Sequence, residues 1–132
     1  MPRSILTTGL ALAALTLVSG CTWVHMAPGA SAVRVMPAGE PPTNCTRRGE
    51  IAVSVKDSVA FYERNELRVR EELETLARNE APGLEADVIQ PLGSPLSGEQ
   101  RFGAWHCGGA TPVAGQAPEA QRDSARTYPV GG

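Results

Sequence analysis

A chain of 132 residues with 12 basic and 14 acidic side chains carries a formal net charge of −2. That length leaves room for one domain at most. The balanced charge, without any Lys/Arg block and with few scattered aromatics, excludes the electrostatic footprint of a nucleic-acid binder or a polybasic membrane patch.

Residues 1–20 read as an export signal. Arg3 is their single charged side chain, and the apolar run from Ile5 to Val18 is broken only by Thr7, Thr8, Gly9 and Thr16. A charged start, a short apolar stretch and a small-residue cut site are the marks of secretion. The run falls short of the ~20 apolar residues that span a bilayer.

The signal ends in Leu17-Val18-Ser19-Gly20-Cys21, which resembles the lipobox of bacterial lipoproteins. The resemblance implies cleavage between Gly20 and Cys21, a diacylglyceryl group on the Cys21 sulfur and acylation of the new amino terminus. One acyl chain binds only marginally, whereas two or three hold firmly. Thr22 after the cysteine implies, by the same resemblance, outer-membrane retention facing the periplasm. Cutting there leaves 112 of the 132 residues and removes Arg3, so 11 basic stand against 14 acidic, a net charge of −3. Membrane lipid, through acylated Cys21, is the first expected partner.

Two cysteines remain, Cys45 and Cys107. An even pair in an oxidising envelope is most simply a disulfide. A metal site built from Cys45, Cys107, His106 and His25 lacks any C-x-x-C or H-x-x-x-H spacing. The same missing spacing argues against a redox-active thiol pair. No cofactor is expected.

In chain order, residues 21–31 form the lipid anchor and a short tether, with a turn at Pro28-Gly29. Val33 and Val35 alternate with Ala32, Arg34 and Met36, predicting a short strand. Residues 37–48, rich in Pro, Gly, Thr and Asn, read as a loop that holds Cys45. Residues 49–56 are the clearest strand, with Ile51, Val53 and Val55 on one face. Residues 57–64 suit a turn of helical character. A helix follows over about residues 66–80, capped by Asn65, with a stripe of Leu67, Val69, Leu73, Leu76 and Ala77. Pro82-Gly83 ends it. Residues 85–92 give a second strand, 93–100 a turn, and 101–107 a third strand. On that strand Phe102, Ala104 and His106 share one face, and Gly103, Trp105 and Cys107 the other. Residues 108–132 change to Gly, Ala, Pro, Gln and Thr. Too little apolar surface is available there to offset ordering, so a disordered tail is expected.

The predicted fold is α+β: a small sheet of three to four short strands, one amphipathic helix on one face, and a disulfide staple. The domain proper covers residues 32–107.

Several segments together resemble a family of small Gram-negative envelope lipoproteins that carry a domain of unknown function. They are Cys21-Thr22-Trp23-Val24, Val33-Arg34-Val35, Val53-Ser54-Val55-Lys56-Asp57, Asn65-Glu66, Glu71-Glu72-Leu73-Glu74, Ala86-Asp87-Val88 and Phe102-Gly103-Ala104-Trp105-His106-Cys107. Helix, Ala-Asp-Val strand and disulfide are also similar, at fold level, to the Rcs stress-sensor lipoprotein. That sensor's long Pro-rich arm has no counterpart here. About ten residues separate Cys21 from the first strand near Ala32, a reach of at most roughly 35 Å.

Nothing in the chain assembles catalysis. His106 reads as an ordinary strand residue, Glu71, Glu72 and Glu74 do not converge on one helix face, and no Gly-rich phosphate loop precedes the helix. No small-molecule substrate and no enzyme activity are expected. The expected function is a lipid-anchored, non-catalytic domain that binds an envelope protein partner through its strand edges or Trp105. The alternatives are a structural maintenance lipoprotein and a thiol–disulfide stress sensor.

Overall fold

A computed structural model describes residues 24–56, 58–59, 62–63, 65–109 and 124–131 of the chain. The signal segment and the lipidation residues Gly20 and Cys21 lie outside them. Among the described residues are seven strands and one α-helix: β1 (Arg34–Val35), β2 (Thr46–Ser54), β3 (Ser58–Val59), β4 (Tyr62–Glu63), α1 (Glu66–Glu80), β5 (Val88–Pro91), β6 (Glu99–His106) and β7 (Ala125–Pro129). Five of the strands form one sheet in the order β1-β5-β6-β2-β7. β1 runs parallel to β5, and the other pairings are antiparallel. The α+β class holds, with five strands in place of three to four.

Alternation builds the centre of the sheet. Ile51 and Val53 on β2 lie opposite Phe102 and Gln100 on β6, and Ile89 on β5 lies opposite Ala104. Ile51, Val53, Ile89, Phe102 and Ala104 meet Val69, Leu73, Leu76 and Ala77 from α1 in one core. The Asn65 carboxamide oxygen caps α1, accepting from the Leu67 and Arg68 N–H groups at 2.9 and 3.4 Å. A cap of this kind typically contributes about 1 kcal/mol. The helix gives way to a 3-10 turn, Ala81–Leu84, that carries Pro82.

Four expectations need correction. Leu67 is 68% exposed because it precedes Val69 by two residues, about 200° round the helix, and so leaves the buried arc. Residues 57–64, expected to turn with helical character, instead carry β3 and β4 paired as an antiparallel ribbon. The tail is not wholly disordered, since Ala125–Pro129 pairs with β2 as the fifth strand. The tether is shorter than 21–31. Val24 already packs against the core, Ala27 and Ala30 are buried, and the Asn79 side chain clamps the segment. Its Oδ1 accepts from the Ala27 N–H at 2.7 Å, and its Nδ2 donates to the His25 carbonyl at 2.8 Å.

Glu80 ends α1 half-buried, and burial pushes its carboxyl above the ordinary value of 4.5. The folded chain therefore holds this proton more tightly than the unfolded chain. Glu80 carries no penalty below pH 4.5, and stability is lost as pH rises from there through the raised folded-state value. Glu80→Gln is expected to raise the thermal midpoint at pH 7 and leave it unchanged at pH 3.5, as calorimetry at both pH values will show.

Candidate functional site

Trp105 was singled out by sequence, and the register places it on the sheet face turned away from the core. It lies between Arg47 on β2 and Val88 on β5. Gly103, two residues earlier on the same face, gives the indole its seat. A Cβ at position 103 would meet Trp105 Nε1 at 3.0 Å and Leu92 Cδ2 at 3.6 Å. Trp105 is thus half-buried along the sheet rather than standing free, and its Nε1 has no hydrogen-bond partner among the described residues.

Beside it runs a charged and aromatic row. Glu50 bridges two arginines, Arg47 Nη2 and Arg101 Nε, each at 3.3 Å. The Arg101 guanidinium sits 5.4 Å from the centre of the Tyr128 ring on β7. Exposed ion pairs of this kind contribute about 0–1 kcal/mol each, so the row shapes a surface more than it stabilises the fold. Across the molecule, a cleft of about 320 Å³ opens between α1 and the end of β5, with Val35, Leu73, Phe102, Arg70 and Glu74 in its lining.

The C-terminal end of β6, just past Trp105, is locked. Cys45 and Cys107 are joined by a disulfide, so neither sulfur is free to ligate a metal as a thiolate. Asp87, just before β5, is 3% exposed. Its Oδ1 accepts from the Cys107 N–H and its Oδ2 from the Gly109 N–H, both at 2.7 Å. Gly109 is needed at its position, because a Cβ there would stand 2.8 Å from Asp87 Oδ2. His106 Nδ1 lies 3.9 Å from the same oxygen, beyond hydrogen-bond reach. Sequence reasoning missed the Asp87 clamp. Its one signal was a carboxylate inside an otherwise apolar strand segment, which at full burial demands donors. Among the described residues no group of three or more His, Cys, Asp or Glu is arranged to hold a metal ion.

A family model for a domain of unknown function (DUF4156) matches residues 24–107. The chain belongs to the DUF4156 family. The matched region opens at Val24, the first residue described against the core, and closes on the disulfide at Cys107. The DUF4156 region therefore contains α1, β1 to β6 and the staple, whereas β7 lies beyond it. No curated protein and no solved structure matches the chain.

Proposed function

We propose that this DUF4156 protein is a lipid-anchored, non-catalytic binding domain of the Gram-negative envelope. Cys21 holds it to the outer membrane, and the domain faces the periplasm. The observation that carries this reading is the shortness of the link. Only Thr22 and Trp23 stand between Cys21 and Val24, which packs against the core. Three Cα–Cα steps span at most about 11 Å. A domain held so closely works at the bilayer surface, on partners embedded in or lying on the membrane. The Cys45–Cys107 disulfide suits an oxidising compartment. Trp105 and the charged row beside it supply a surface for protein contact.

Replacing Cys21 tests the anchor. Wild type is expected in the detergent-soluble membrane fraction and to incorporate a palmitate analogue. Cys21→Ala is expected to lose the label and to shift by more than tenfold into the soluble fraction. A Cys21→Ala chain that still sediments with membranes removes the proposal.

A further inference from the structure

We propose that the outer edge of β2 is a binding site for an extended peptide strand, and that β7 occupies this site in cis. The inference rests on the binding-domain reading above and names the kind of partner: an extended segment of another protein.

Four observations converge. First, β7 lies outside the family region, which ends at Cys107. Without it the nine-residue β2 would be the sheet's edge, with a row of open N–H and C=O groups. Second, β7 is held mainly by its backbone. Its register runs from Gly49 opposite Pro129 to Val53 opposite Ala125. Val130 N–H donates to the Arg48 carbonyl at 3.1 Å. Alternation along an antiparallel ladder then turns the N–H groups of Tyr128 and Arg126 toward β2. Pro129, which has no N–H, falls at a position turned away. Ala125 packs against the core, but Arg126, Thr127, Tyr128 and Pro129 are exposed. A strand held in this way can be replaced by many others, as in strand addition to sheet edges.

Third, the β2 edge is cut to receive a backbone. A Cβ on Gly49 would lie 2.4 Å from the Tyr128 carbonyl oxygen and 3.0 Å from Pro129 Cα. Fourth, the site has a side-chain preference. The residue opposite Glu50 meets Arg101, and in β7 it is an aromatic, Tyr128. The fitting ligand is therefore an extended segment with an aromatic side chain opposite Glu50 and a small residue opposite Val53.

The cis strand competes for the edge through its tether. Eighteen residues connect His106 to Ala125. Closing such a connection costs entropy, and tethering supplies an effective concentration on the order of millimolar. A partner strand presented at the same membrane surface can exceed that.

The test uses a labelled synthetic peptide of residues 124–131, titrated by fluorescence anisotropy against full chains in detergent. Arg126→Pro with Tyr128→Pro empties the site by removing two ladder donors. That chain is expected to bind the peptide at least tenfold more tightly than wild type, and adding Gly49→Ala is expected to abolish the binding. Circular dichroism and an intact disulfide establish that each chain is folded. A folded double-proline chain that ignores millimolar peptide overturns the proposal, as does binding that Gly49→Ala leaves intact. Hydrogen exchange on wild type gives a second measurement that needs no variant. The ladder turns the Glu50 and Ala52 amides toward β7 and those of Ile51 and Val53 toward β6. Exchange at least tenfold faster at Glu50 and Ala52 is expected, and equal protection at all four overturns the proposal. These assays are indifferent to Cys21, so they can fail while the anchor holds, and the reverse.

Discussion

Reduction of Cys45–Cys107 is expected to destabilise the domain by about 4 kcal/mol. The bond spans a sequence separation of 62, and the chain-entropy cost of leaving such a loop open in the unfolded state is of that order. A domain of this size holds roughly 5–15 kcal/mol in total, so the staple supplies a large share. With a urea slope of ~1 kcal/mol/M, the lower end for small proteins, the midpoint should fall by several molar. Cys45→Ala with Cys107→Ala should reproduce the shift without reductant. Equilibrium urea unfolding of oxidised, reduced and doubly substituted chains measures it. A reduced chain whose midpoint matches the oxidised one would overturn the staple and favour thiol–disulfide sensing in its place.

The parts of the fold that could be read in the sequence are those written in burial and capping. Asn65 stands before a helical apolar stripe, and it caps α1 as expected. Ile51 and Val53 alternate with Ala52 and Ser54, and they point into the core. Leu67 shows the limit of that reasoning, because an apolar residue near the right spacing still falls off the buried arc. β7 shows a deeper one. Its ordering comes from ladder hydrogen bonds to β2 rather than from apolar area, and main-chain bonding leaves no hydrophobic pattern to detect. Thr127 and Tyr128 were adjacent strand-favouring side chains in a tail rich in Gly, Ala and Pro, but Thr111, Val113 and Val130 are of the same kind, so they did not single out the segment.

The surface site divides in the same way. Trp105 drew attention as an aromatic on the strand face opposite Phe102, but its partial burial over Gly103 came from the register. The row of Arg47, Glu50, Arg101 and Tyr128 joins residues from three strands, and no local spacing joins β7 to β2. The shortness of the tether was hidden too. It depends on Asn79, which lies 54 residues from His25 in sequence and clamps that segment to the end of α1.

Asp87→Ala is expected to cost about 3 kcal/mol, second only to loss of the disulfide. A hydrogen bond to a charged acceptor contributes ~1.5–3 kcal/mol, and Asp87 accepts two, from the Cys107 and Gly109 N–H groups. Both bonds are only partly buried, so the sum falls toward the lower end. Asp87→Asn retains one acceptor oxygen and turns an amide group toward the second donor, so it should lose about half as much. His106→Gln should change little, since its nearest carboxylate oxygen is 3.9 Å away. Urea unfolding of the three variants orders them. The clamp and the disulfide hold the same residue, Cys107, and groups that share a partner do not act additively. Asp87→Ala in the reduced chain should therefore cost measurably less than in the oxidised chain. Full additivity would mean that Asp87 and the staple secure different things. Coupling would mean that both fix where the chain leaves β6, and so set the point from which the tail must reach back to the edge of β2.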